Sequence, residues 1–240
     1  MAFFFYFSSN FDFSTMSIAE NYTTIIQSIS PEVTLIAVSK THPIDAIKEV
    51  YAVGCRHFGE NKVQELIQKN AALPNDIHWH MIGHLQTNKV KSIIPFIHLI
   101  HSVDSLKLLS EINKEASKIN KIQDCLLEFY IAQEETKFGL SQNEVFEMLS
   151  SEQFSSFKNI RIKGIMGMAS FTDNAKTVKT EFGQLKKLFE TTKTRFFAND
   201  PSFDTISMGM SGDYLLAIEE GSTMIRVGTT IFGSRTYSTI

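Results

Sequence analysis

The chain has 240 residues, 43% of them hydrophobic, and 23 basic against 26 acidic side chains give a net charge of −3. That is enough for one large domain or two small ones with an ordinary core, and the interspersed charges make no electrostatic case for nucleic-acid or membrane partners. No window is apolar for long enough to span a bilayer, and the two cysteines, Cys55 and Cys125, form no CxxC pair, which argues against a disulfide framework and for a reducing cytoplasmic setting.

The first stretch, MAFFFYFSSNFDFST, is rich in phenylalanine but lacks the basic region and small-residue cleavage site of a signal peptide. Residues 1–15 are expected to be a poorly ordered extension, with Met16 as an alternative start, and residues 16–240 the folded unit. Ile18 to Ile29 read as a helix that Ser30-Pro31 stops. Short apolar runs then alternate with helical stretches. The strand candidates are Thr34 to Val38, Arg56 to Phe58, Ile77 to Ile82, Leu99 to Val103, Cys125 to Ile131, Arg161 to Met166, Thr205 to Ser207 and Met224 to Val227. Between them, Pro43 is placed in the first turn of a helix that Gly54 ends, and Asp104 is the expected N-cap of one striped by Leu106, Leu109, Ile112 and Ala116. Ser141 with Glu144 reads as a capping box, Phe182, Leu185, Leu188 and Phe189 stripe another helix, and Asp213 to Glu220 form a short one stopped at Gly221.

Strict alternation of strand and helix means parallel strands, because a parallel connection needs a crossover. Eight such units suit a single closed (β/α)8 TIM barrel, which typically needs roughly 250 residues; a doubly wound open sheet is the competing architecture. Only Ser234 to Ile240 follow the last strand–helix signal, so no second C-terminal domain is expected.

In such a barrel the active site lies at the C-terminal ends of the strands. In LIAVSKTHP, Lys40 stands just past the first strand, where a partly apolar mouth favours the neutral, nucleophilic amine and Schiff-base chemistry. Position alone is also compatible with a solvated loop lysine. ISMGMSGD (Ile206 to Asp213) and RVGTTIFG (Arg226 to Gly233) place glycine and hydroxyl side chains after strands seven and eight, where phosphate sites often form; ordinary turn chemistry would use the same residues. A strand-end lysine beside a phosphate site suggests a phosphorylated aldehyde. Period-two alternation in MIRVG turns Arg226 into the barrel, where it needs an acceptor: a ligand's pyridine nitrogen or carboxylate, or a structural partner such as Glu60. Glu60 and Asn61 end strand two and face the mouth. HWHMIGH invites a metal reading, but His78 lies too far back along its strand to converge with His84, so no metal site is expected there. EETKFGL reads as a solvated loop in which Lys137 is a minor candidate amine, and Met166 and Met168 read as core filling.

Together, AVSKTHP, FGENKVQE, WHMIGHLQTNKVK, HSVDS, EETKFG, GIMGMA, SMGMS and EEGSTMIRVGTTIFG, in this order, resemble the pyridoxal 5'-phosphate homeostasis proteins of the YggS/PROSC type over about Leu35 to Arg235. The resemblance implies a barrel like the N-terminal domain of alanine racemase without its C-terminal β-domain, and pyridoxal 5'-phosphate as cofactor. It implies that Lys40 holds the cofactor as an internal aldimine, that Ser207, Ser211, Gly228 and Thr229 belong to the phosphate-binding loops, that Arg226 lies near the pyridine nitrogen, and that Asn61, His84 and Met208 line the cofactor. It further implies a cytoplasmic, monomeric protein that buffers or delivers the cofactor, with apo forms of other enzymes as partners, rather than a catalyst. The alternatives are a racemase-like enzyme, which would need a second acid–base residue facing the lysine, and a Schiff-base aldolase acting on a sugar phosphate. Two positions depart from the family pattern: Tyr130, where strand five commonly carries asparagine, and Gly212, where a larger or acidic residue is frequent.

Overall fold

The computed structural model describes residue 13, residues 15–132 and residues 139–234. Helix α1 (Ile18–Ser28) leads into eight strand–helix units: β1 (Thr34–Val38), α2 (Ile44–Ala52), β2 (His57–Glu60), α3 (Val63–Ala72), β3 (His78–Met81), α4 (Val90–Ile93), β4 (Ile97–Val103), α5 (Leu106–Ser117), β5 (Gln123–Glu128), α6 (Gln142–Ser150), α7 (Glu152–Ser155), β6 (Ile160–Met166), α8 (Ala175–Phe196), β7 (Thr205–Ser207), α9 (Tyr214–Glu219), β8 (Met224–Val227) and α10 (Thr229–Phe232). The strands are parallel and close in sequence order, with β1 paired to both β2 and β8, which settles the choice against an open sheet.

Alternation along each strand produces two cores. Outward-facing residues such as Leu35, Phe58, Trp79, Ile100, Leu127, Ile165, Ile206 and Ile225 pack under the helices in one large cluster. Inward-facing Ile36, Leu99, Leu126, Met166 and Met224 form a small separate cluster inside the barrel. Each fully buried Leu, Ile or Phe contributes about 1.5–3 kcal/mol, so the outer layer carries most of the stability. The inner layer leaves room for polar side chains, which is where the chemistry lies.

Local signals hold with small displacements. The Ser141–Glu144 capping box forms, and a second, Ser17 with Glu20, opens α1. Pro43 is the N-cap of α2 and not part of its first turn. The N-cap of α5 is Ser105, whose hydroxyl accepts from the Leu108 N–H, and not Asp104, whose carboxylate is turned to His84. Strand β5 ends at Glu128, short of Ile131. Phe13, assigned by sequence to the extension, packs against the outer core, and its carbonyl accepts from the Asn21 side chain; residues 1–12 and 14, and Lys137, lie outside the described residues. Both cysteines are buried with free thiols, and burial pushes Cys55 up to about 12. Among the described residues no helix is long and apolar enough to cross a membrane.

Candidate functional site

Ile36, Val38 and Lys40 occupy alternate positions, so Lys40 follows the inward register of β1 to the C-terminal mouth, where it is half-buried. The intervening Ser39 turns the other way. Its hydroxyl donates to Glu60 Oε1 at 2.6 Å. Lys69, reaching up from α3, donates to the Ser39 carbonyl (2.8 Å), to Glu60 Oε1 (2.8 Å) and to Glu65 Oε1 (2.7 Å). Glu65 also accepts from the Thr41 N–H, and Thr41 stands at φ 69°, a left-handed conformation that a β-branched residue rarely adopts. The residues on both sides of Lys40 are thus tied to α3, which fixes where its side chain leaves the backbone. Sequence reasoning missed Lys69 and Glu65. It also sent Glu60 toward the mouth as a partner for Arg226; Glu60 is fully buried against α3 and pairs with Lys69. Burial pushes its carboxyl up, and Lys69 and the Ser39 hydroxyl pull it back only part of the way.

Arg226 does point into the barrel. Its guanidinium donates to Ser207 Oγ at 2.6 Å and to the Gly167 carbonyl at 3.1 Å, both neutral acceptors. Burial lowers it to about 10, partly offset by Asp213 and Glu128, so it stays charged at neutral pH. Glu128, on the inner face at the end of β5, is raised to about 7 by burial and by the charge of Asp104. It escaped the sequence reading, although alternation through Leu126 and Glu128 pointed to it.

The loops after β7 and β8 meet. Ser211 Oγ accepts from the Gly228 N–H at 3.1 Å and the Thr230 N–H at 3.5 Å. A Cβ on Gly228 would stand 3.1 Å from the Val38 carbonyl, so the loop lies against the end of β1, two residues before Lys40. Thr229 is exposed beside it. Ser207 lies deeper, bonded to Arg226 and to His101 Nδ1 at 3.0 Å. Met208 is fully buried in the layer under the helices, so its side chain does not line the mouth. Across the mouth, Asn61 Oδ1 is buried and, among the described residues, has no hydrogen-bond partner. Gly83 packs on Asn61 so closely that a Cβ would fall 2.6 Å from its carbonyl oxygen. The exposed His84 pairs with Asp104 at 3.0 Å.

Lys40, Arg226, Ser207, Ser211, Gly228 and Thr229 therefore gather around the β7–β8–β1 side of the mouth, with Asn61 and His84 at the ends of β2 and β3. Tyr130 follows β5 and is partly exposed, and Gly212 has open space around its Cα. His78 and His80 do not converge with His84; His78 begins β3 at the other end of the barrel and His80 is buried in the interior, both among further histidines.

The sequence profile of the alanine racemase N-terminal domain matches residues 14–236. The chain is 40% identical to the pyridoxal phosphate homeostasis protein of Aquifex aeolicus, covering 85% of this chain and 87% of that one, and 38% identical to that of Vibrio alginolyticus, covering 87% and 90%. PipY of Synechococcus elongatus, solved without and with pyridoxal phosphate bound, superposes with TM-scores of 0.83 and 0.81 at 36% identity, over 90% of this chain and all of that one. An alanine racemase of Clostridium difficile shares the fold at 14% identity, TM-score 0.71, and this chain spans 57% of its length. The chain belongs to the pyridoxal phosphate homeostasis proteins, within the alanine racemase N-terminal-domain family.

Proposed function

We propose that this protein binds pyridoxal 5'-phosphate at the C-terminal mouth of its barrel and holds it for exchange and delivery rather than for turnover. The observation that carries the reading is the junction of Gly228 with Val38: it sets the Ser211–Gly228 loop pair beside the strand end that bears Lys40. One small ligand carrying an aldehyde and a phosphate can reach both. The buried, unpartnered Asn61 oxygen across the mouth is a further polar atom that such a ligand would satisfy.

When bound, the cofactor supplies an aldehyde that condenses with primary amines, a ring nitrogen and a phosphate. Lys40 offers the amine, and the α3 network holds the backbone on either side of it. Ser211, Gly228, Thr229 and Thr230 offer hydroxyl and N–H donors to the phosphate. Arg226 offers a guanidinium toward the ring, held by Ser207 and Gly167. Because it remains charged, it does not hand a proton to a ring nitrogen as a carboxylic acid does, which supports a carrier over an efficient racemase.

Borohydride reduction of the loaded protein and peptide mapping should place the adduct on Lys40, and Lys40→Ala should abolish it. A major adduct on Lys137 instead would refute the assignment. A colourless protein that binds a sugar phosphate would favour the aldolase reading. Racemisation or keto-acid formation faster than about 1 per second, within the ordinary enzyme range and lost in Lys40→Ala, would establish an enzyme. Reconstitution of an apoenzyme by the loaded protein tests delivery, and light scattering tests the monomer.

A further inference from the structure

Five of the seven histidines lie inside or at the lower end of the barrel: His57 on β2, His78 and His80 on β3, His98 and His101 on β4. We propose that the N-terminal end of the barrel is a binding site for a divalent transition metal of the zinc class, with His57, His80 and His98 as protein ligands and a fourth position open to solvent.

The ligand nitrogens of these three residues all lie within 4.8 Å of one another. His57 Nδ1 and His80 Nε2 face each other at 3.0 Å. Nitrogens sharing a tetrahedral zinc stand about 3.3 Å apart, so this pair is already near ligating separation and the exposed His98 has only to swing inward. A register shift between Trp79 and His80 sets the two as partners of Ile97 and Leu99, leaving His98 as the extra residue between them; a bulge re-aims a side chain in this way. The ring of His98 consequently comes within 5.4 Å of His80 and stacks on His78 at 4.4 Å, centroid to centroid.

The outer partners suit metal ligation. A ligating imidazole normally donates its other N–H to a fixed acceptor, which sets tautomer and orientation. With His80 Nε2 on the metal, its Nδ1–H meets His101 Nε2 at 2.9 Å, and His101 Nδ1–H in turn meets Ser207 Oγ. With His57 Nδ1 on the metal, its Nε2–H faces His78 Nδ1 at 3.5 Å. One tautomer assignment thus satisfies the whole row. Burial disfavours the protonated form of all three imidazoles, the form that cannot ligate. Lys121 and Arg161 stand near His98 and oppose a cation, but Arg161 is paired with Asp124 at 2.7 Å. An all-imidazole set favours zinc, copper(II) or nickel over calcium and magnesium.

The test uses the full chain without an affinity tag, dialysed against EDTA and titrated calorimetrically with zinc chloride, then with cobalt chloride followed by visible absorption. One zinc per chain is expected, with the strong d–d bands of a tetrahedral cobalt form and no heat from magnesium. His98→Ala, at an exposed position, should fold and weaken zinc binding at least about tenfold; His98→Gln provides a variant of similar volume lacking the imidazole. No saturable zinc binding, or equal affinity in the parent and both folded variants, would overturn the site. The row reaches Ser207 only through His80 and His101, so the variants are made at His98, and borohydride capture at Lys40 tests the cofactor assignment separately.

Discussion

Replacing Glu128 by glutamine should make the cofactor-free protein more stable at alkaline pH and leave it unchanged in acid. The carboxyl is 3% exposed, and burial together with the charge of Asp104 raises it from an ordinary 4.5 to about 7. The folded state therefore holds a proton that the unfolded chain releases. Between pH 4.5 and 7 the native state binds more protons than the unfolded one, and stability falls with rising pH at up to about 1.4 kcal/mol per unit. The contribution is fully present below 4.5 and lost as pH rises through 7, and it amounts to about 3 kcal/mol. Glutamine mimics the protonated acid at every pH. Urea melts of parent and Glu128→Gln at pH 4.5 and 8.5 should give equal stabilities at the lower pH and a variant more stable by about 3 kcal/mol at the higher. Taking the difference between the two proteins cancels the titration of the buried histidines, which are common to both. A difference that changes by less than about 1 kcal/mol between those pH values would show that Glu128 is solvated or has a cationic partner, and would refute the reasoning.

The remaining predictions concern the frame of the mouth. Lys69→Met removes the cation facing fully buried Glu60 and should cost about 3–5 kcal/mol at pH 8, less at pH 5 where Glu60 can take a proton; urea melts showing under about 1 kcal/mol at pH 8 would mean that the pair is hydrated. The same variant releases the Ser39 carbonyl and removes the cation that holds Glu65 against the Thr41 N–H, so covalent capture of pyridoxal phosphate at Lys40 should slow in rapid-mixing absorption traces, and an unchanged rate would deny the network a positioning role. Gly83→Ala drives a methyl to 2.6 Å from the Asn61 carbonyl and should cost about 1–3 kcal/mol while weakening cofactor affinity; a variant with parental melting and affinity would show that the backbone yields there at no cost.

The barrel was legible because its outer layer obeys one rule throughout. Apolar strands alternate with striped helices, and the parallel closed sheet follows. Arg226 was legible for a related reason: counting residues by two from Met224 gives its direction without knowledge of any neighbour, and Lys40 was placed at the mouth by standing just past the first strand. Glu60 was misread because that count stops being informative at a strand end, where the chain turns and a helix can supply a partner. Lys69 lies nine residues away on the next helix, and nothing in FGENKVQE says which carboxylate it meets. Met208 had a role only by resemblance, and its side chain packs outward. The histidine row was hidden for a different reason. Its members come from three strands, and the residue that completes the cluster, His98, arrives through a bulge that alternation cannot predict.

Net charge is silent about the mouth. A balance of −3 argues for no particular partner, yet the residues at the mouth tell another story. Burial acts oppositely on acids and bases in sign but not in consequence: it disfavours whichever form is charged. Glu128 and Asp213, the carboxyls nearest Arg226 in electrostatic effect, are both pushed toward their neutral forms. Arg226 is pulled down only to about 10, far too little to discharge it at pH 7. The same desolvation that raises both acids therefore leaves the guanidinium cationic, and Asp104, the acid beside Glu128, is engaged by His84 and by the Ser105 hydroxyl. What remains is a buried positive charge whose hydrogen bonds go to a hydroxyl and a carbonyl, both neutral. An anionic ligand bound at the mouth, as proposed, would supply part of that balance, so an affinity for anions there would follow from burial at one arginine and not from any surplus of basic residues.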